Sequence, residues 1–115
     1  MRLTGLLPLL FAAGLSAAPV DREVDYLIGF VADSGCAFYR NDSLHDSVSA
    51  ADHLRHKYKR GKRWVDSAEL FIDRIASGSS LSGKPYHVNC EGVEMTSADW
   101  LHQALDQHRN IENPQ

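Results

Sequence analysis

Cysteine is scarce in this chain: Cys36 and Cys90 are the only two among 115 residues. They are not spaced as Cys-x-x-Cys, so no thioredoxin-type redox motif is present. His-Glu-x-x-His is missing, which removes the commonest metalloprotease signature. Gly-x-Ser-x-Gly is missing too, so there is no nucleophile elbow. Beyond residue 18 no apolar run approaches the roughly 20 residues that a membrane-spanning helix needs. A basic excess is also lacking, with 12 Lys and Arg against 15 Asp and Glu. Bulk charge therefore gives no support to non-specific nucleic-acid binding. There are no internal repeats, no linker and no low-complexity tract. What remains, 43% hydrophobic and 23% charged, suits one globular domain and is too short for two.

The first 18 residues stand apart. Met1 and Arg2 give a short positive start, Leu3 to Leu15 is mostly apolar and uncharged, and Ser16, Ala17 and Ala18 are small. That is the pattern of a cleaved signal peptide, too short for a spanning helix. Pro19 sits awkwardly beside the cut and leaves the exact bond open. No cysteine follows the apolar run to carry a lipid. Cleavage removes Arg2 and no acid, leaving eleven basic residues against fifteen acidic ones, a formal net charge of −4. The expected address is the bacterial periplasm or another secretory, oxidising space, with no membrane span in the mature form.

In an exported chain an even pair of cysteines reads as a disulfide. Cys36 and Cys90 stand 54 positions apart. Closing such a loop stabilises by about 4 kcal/mol on the chain-entropy view. Two free thiols or a redox pair are the alternatives.

Val24, Leu27, Ile28 and Val31 recur at helical spacing and predict a first helix over residues 21–34, with Asp21 and Glu23 at its positive end and Gly35 at its exit. Residues 36–40 read as a strand, and Asn41-Asp42-Ser43 as turn chemistry. Ser49 with Asp52 resembles a capping box that opens a second helix. From there Ala51, Leu54, Tyr58, Gly61, Val65, Ala68, Ile72 and Ile75 keep alternate spacings of three and four, which favours one long helix to about residue 77, kinked at Gly61. Local chemistry argues for two helices instead: Gly61 suits a C-terminal cap, and Asp66 with Glu69 suits a fresh start. The same heptad-like face could serve a homodimer. Residues 78–83 form a Ser/Gly loop, residues 85–90 a second strand and residues 93–95 a third short one. Pairing 36–40 antiparallel to 85–90 would set Cys36 beside Cys90. Thr96 or Ser97 caps a last helix carrying Trp100, Leu101, Ala104, Leu105 and His108 on one face. The domain is expected over 19–110, with residues 111–115 frayed. The fold class expected is α+β: about three helices packed on a small antiparallel sheet of two or three strands, with one disulfide.

Candidate chemistry concentrates in a few places. Gly78 to Lys84 fits Gly-x-x-x-x-Gly-Lys, but Pro85 follows where a phosphate loop needs Ser or Thr, and the flanking order is helix then strand. Its backbone amides could still make an anion-binding concavity, with Lys84 adding charge. A Ser-x-x-Lys pair ending at Lys84 fails because residue 81 is Leu81. His53 and His56, three apart on a helix, would need a third ligand such as His45 or Asp52 to hold a metal. His45, His53, His56 and His87 could in principle complete a serine triad in space, although no spacing indicates it. Residues 55–63 hold six positive side chains in nine positions. Arg55, Lys59 and Arg63, with Trp64 off the apolar stripe, make a candidate partner surface.

Four stretches together resemble a known group. They are Phe38-Tyr39-Arg40-Asn41, residues 51–58 (Ala-Asp-His-Leu-Arg-His-Lys-Tyr), residues 66–73 (Asp-Ser-Ala-Glu-Leu-Phe-Ile-Asp) and residues 76–86, which include Ser-Ser-Leu-Ser-Gly-Lys-Pro-Tyr. The chain is similar over nearly its whole mature length to small exported proteins of Gram-negative bacteria known as a domain of unknown function. The resemblance implies a periplasmic address and brings no activity, cofactor or catalytic residue. Gly61 departs from it, since an apolar residue is usual there. Some members lack the cysteine pair, which makes the disulfide a reinforcement. Core packing alone does not demand Arg40, Asn41, Ser79, Ser80, Ser82 and Lys84. With Tyr86 they form a candidate ligand surface for a carboxylate or phosphate, or an internal network that fixes the loop. The leading functional expectation is a non-enzymatic accessory or binding protein with no metal or cofactor, whose partner is an envelope protein or a small anionic ligand. A small envelope hydrolase or transferase using a loop serine, and a structural homodimer, are the rivals.

Overall fold

The computed structural model describes residues 19–112; the signal peptide expected at 1–18 and residues 113–115 lie outside the described residues. Helix α1 (Pro19–Asp33) buries the stripe Val24, Leu27, Ile28 and Val31. Asp21 lies in its first turn, where a carboxylate suits the helix dipole. Ser34 turns back onto the Val31 carbonyl, and Gly35 takes a left-handed φ of 67° that ends the helix.

Two hairpins follow the same rule. Strands β1 (Ala37–Arg40) and β2 (Ser43–His45) are joined by Asn41 and Asp42, with φ of 52° and 69°. Strands β3 (His87–Cys90) and β4 (Val93–Thr96) are joined by Glu91 and Gly92, with φ of 53° and 87°. Two successive left-handed residues match the twist of a two-residue hairpin, and Asn, Asp and Gly tolerate that backbone best. The sheet order is β2-β1-β3-β4, antiparallel throughout. Its four strands exceed the two or three expected. β2 adds the fourth, in residues that read only as turn and connector. Ala37 pairs with Asn89, which sets Cys36 against Cys90, and the two form a disulfide with Cα atoms 4.7 Å apart.

Helix α2 (Ser47–Gly61) starts earlier than expected: its cap is Asp46, whose carboxylate accepts from the Ser49 amide at 2.8 Å, not Ser49 itself. The single helix over residues 49–77 is not formed. α2 ends at Gly61, Lys62–Trp64 make a 3-10 turn, and Val65 is extended. Ser67 caps a new helix by accepting from the Leu70 amide at 3.1 Å; this helix, α3 (Ala68–Phe71), continues as a π-helical turn, Ile72–Ala76. The apolar spacing survives the break because Val65 itself fills the core between the two helices. The face read as a heptad seam is buried inside this one chain: Ala51, Leu54, Tyr58, Ala68, Ile72 and Ile75 are all in the core.

Helix α4 (Ser97–Glu112) is capped by Thr96, whose hydroxyl accepts from the Asp99 amide. It runs two residues past Asn110, to Glu112. The result is four helices against one sheet, with Phe38 and Val88 buried in the helix-facing core.

Candidate functional site

The residues with unusual company gather where β1, α2 and the segment after α3 meet. α2 places His53, Lys57 and Arg60 at i, i+4 and i+7, which is one face of a helix. β1 ends at Arg40 beside that face. The loop after α3 closes over it, and Tyr86 enters from the start of the second hairpin.

Lys57 is the least expected member. It is only 9% exposed, and its ammonium donates to the carbonyls of Ile75 (2.8 Å) and Gly78 (2.9 Å) and to the Tyr86 hydroxyl (3.2 Å). It thus caps one carbonyl at the end of the π-helical turn and one just beyond it, both carrying partial negative charge. None of its partners is a carboxylate. Burial lowers its pKa, and Arg40 and Arg60 push it in the same direction.

Arg40 is half-buried. Its Nη1 lies 2.9 Å from both ring nitrogens of His53, and its Nη2 lies 3.2 Å from His45 Nε2. One N–H cannot point along both in-plane lone pairs of an imidazole, so the guanidinium rests against the His53 ring. These contacts occupy at most two of the five guanidinium N–H donors. Burial, followed by the charges of Arg40 and Lys57, lowers the His53 pKa to about 4. His53 is therefore neutral at pH 7, within 3.3 Å of the Tyr86 hydroxyl, whose own pKa burial raises.

Three clefts touch this cluster and share walls. The first is lined by Phe38, Ala50, Leu54, Ala76, Arg40, His45 and His53, and narrows to a cavity of about 30 Å³. The second is lined by Arg40, His53, Lys57, Arg60, Ser79, Ser80 and Tyr86. The third runs past Lys57, Arg60, Ser80 and Arg74 to Trp64. Four Lys and Arg side chains line this groove of adjoining clefts, and among the described residues no Asp or Glu lines any of the three. Among the described residues Arg40, Lys57 and Arg60 form no salt bridge.

The sequence-marked residues divide accordingly. Arg40, Asn41, Ser79, Ser80 and Tyr86 reach the groove. Ser79 also organises its own loop: its hydroxyl faces the amides of Leu81 and Ser82 and the Asn41 side chain. Ser82 donates to Asn41 Oδ1 at 2.7 Å and receives the Lys84 amide. The amides of Ser79 and Gly83 close the loop through Lys84 O and Ser79 O. The loop's backbone donors are thus largely consumed within it. Gly78 is required there, since a Cβ would lie 2.8 Å from the Lys84 carbonyl. Lys84 leaves the groove and pairs with Asp42 at 3.6 Å.

Of the basic run, Arg55 pairs with Asp52, and Lys59 is exposed. Arg63 stacks over Trp64, which is 60% exposed at the far end of the groove. His56 turns to the Asp52 carbonyl, away from His53. Among the described residues no group of three or more His, Cys, Asp or Glu is placed to hold a metal ion. No helix among them is long and apolar enough to cross a membrane. Reading by residue type missed Lys57 and Arg60, which looked like ordinary solvated charges. Their spacing from His53, on the edge of the apolar stripe, was the available signal.

The comparisons with known proteins fit this picture without adding chemistry. Uncharacterized protein YfeK of Salmonella typhimurium is 47% identical over 49 residues, 43% of this chain and 41% of that protein, so the match spans less than half of the relative's length. No solved structure matches. A family of unknown function, DUF5329, matches residues 18–109, most of the chain and the whole of the groove just described, and the chain belongs to that family.

Proposed function

We propose that this protein is an exported, periplasmic binding protein without catalytic activity, and that its ligand is anionic. The observation that carries the reading is the groove between β1, α2 and the 79–84 loop. It gathers Arg40, Lys57, Arg60 and Arg74 and, among the described residues, no Asp or Glu, in a chain whose acids outnumber its bases. Folding brings these cations together against their mutual repulsion, and an anion would relieve it. Arg40 retains N–H donors in the fork that suits a carboxylate or phosphate. The apolar leader and the disulfide support export into an oxidising space. The loop serines lend less support to a hydrolase, because the hydroxyls of Ser79 and Ser82 face Asn41 and loop amides.

Calorimetric titration with inorganic pyrophosphate tests the reading. Binding is expected to weaken by about tenfold or more in Arg40→Ala and in Arg60→Ala, each the loss of a charge-assisted contact. Unchanged binding in both variants, or no heat with the parent protein, would refute it.

A further inference from the structure

The groove is asymmetric, and the asymmetry narrows the ligand. At one end Arg40, His53 and Tyr86 are walls of both the polar cleft and the small cavity, whose apolar side is Phe38, Ala50, Leu54 and Ala76 and whose polar side also holds His45 and Ser97. A ligand filling both must carry a carboxylate-like group and a small aliphatic group on nearly the same atom. Inorganic phosphate fills the charge and leaves the cavity empty. A cavity of about 30 Å³ admits an alanine-sized side chain and little more. From Arg40 the adjoining clefts pass Lys57 and Arg60 to Arg74 and Trp64. Residues 53 to 61 of α2 cover roughly 12 Å at helical rise. That is about four residues of extended peptide at strand spacing.

We infer that the ligand is the free C-terminus of a protein chain, its last, alanine-sized side chain in the Phe38–Leu54 cavity and its α-carboxylate on Arg40. This rests on the anion-binding reading and makes it specific. A C-terminal residue carries its side chain and its carboxylate on one carbon, as the adjoining walls require. The preceding residue contributes a neutral amide. A free amino acid would instead bring an ammonium into a site already crowded with Arg40, Lys57 and Arg60, which disfavours it. Upstream, acidic side chains would face Arg60 and Arg74, and the chain would leave across the exposed indole of Trp64. Capture of a terminal carboxylate is one of the recurring modes of peptide recognition.

The test is fluorescence polarisation with the full mature protein. The probe is a fluorescein-labelled hexapeptide with acidic residues at alternate upstream positions and a C-terminal alanine. It is compared with the same peptide as a C-terminal amide and with one ending in tryptophan. The free acid is expected to bind, and amidation to weaken binding by about 30-fold, the loss of one buried charge pair. The tryptophan-ended peptide should bind more weakly than the alanine-ended one. Arg40→Ala should erase the difference between acid and amide, whereas Arg60→Ala should weaken both forms alike. If Arg40→Ala does not fold, Arg40→Lys keeps the charge without the fork and should narrow the difference. Equal binding of acid and amide would overturn the inference, as would tighter binding of an acidic oligogalacturonide than of the peptide. Pyrophosphate binding with no peptide binding would overturn it while leaving the anion site standing. Binding of neither would overturn both.

Discussion

Arg109 and Arg40 are both half-buried arginines at the edge of one core, and they keep opposite company. Arg109, on α4, forks onto two carboxylates: Glu23 of α1 at 2.8 Å and Glu69 of α3. The pairing lowers the pKa of both acids and raises that of the arginine. On the same side Asp21 takes the Tyr58 hydroxyl at 2.6 Å and Lys62 at 3.2 Å. Arg40 has two histidines for neighbours, with Lys57 and Arg60 behind them. One region resolves its charges within the fold, and the other leaves them unresolved. Paired charge ties three helices together, whereas the groove's charge of one sign has no carboxylate partner among the described residues, and the proposed anion would supply one.

Lys57→Ala separates structural from recognitive charge most sharply. It orphans the Ile75 and Gly78 carbonyls and should destabilise the protein by about 3 kcal/mol in denaturant unfolding. A loss under about 1 kcal/mol would show that Lys57 is no structural cap.

Acid should divide the two regions by pH window. His53 has a folded pKa of about 4 against 6.5 in the unfolded chain. The unfolded state therefore binds the extra proton first. Stability is fully present above pH 6.5 and declines as pH falls towards 4. With solvent screening at this half-exposed ring, the loss is about 1 kcal/mol. The depressed carboxylates Asp21, Glu23 and Glu69 act lower: their contribution is lost only as pH falls below their ordinary values of 3.8 to 4.5. Melting curves from pH 7 to pH 3 should show two descending steps, and pyrophosphate should lift only the first.

Salt should act with opposite signs on the two arginines. Arg109→Ala is expected to cost about 1 kcal/mol at low ionic strength and less at 1 M NaCl. Arg40→Ala, assayed without ligand, should change stability by under about 0.5 kcal/mol, towards greater stability at low salt, because it relieves the crowding of Lys57 and His53. A large loss in Arg40→Ala would make the unpaired cluster structural.

Much of the fold was legible because single residues carry strong signals. The stripe Val24, Leu27, Ile28, Val31 allowed only one face for α1, and the antiparallel reading of 36–40 against 85–90 placed the disulfide. The helix break was not legible from spacing, because Val65 occupies a core position that a continuous helix would also have filled. The Ser67 cap lies one residue beyond the Asp66 pair that suggested it. β2 escaped because Ser43-Leu44-His45 is a three-residue edge strand with no buried side to alternate against. Arg40 and Tyr86, which line the groove, stood out in the sequence only through the strings that carry the family resemblance. The role of Lys57 could not be read there, because its burial depends on the π-helical turn at 72–76, which nothing in the local sequence announces. The loop serines drew attention for chemistry, whereas Ser79 and Ser82 chiefly hold their own loop in shape.

If the charge around Arg40 binds an anion as proposed, His53 should sense it, because the charges of Arg40 and Lys57 contribute to its lowered pKa. Its ring resonances should be followed through an NMR pH titration with and without saturating pyrophosphate. The expected pKa is about 4 in the free protein and higher when the anion is bound, because the anion offsets the charges of Arg40 and Lys57 while the effect of burial remains. A His53 pKa that pyrophosphate leaves unmoved would contradict the proposed anion site.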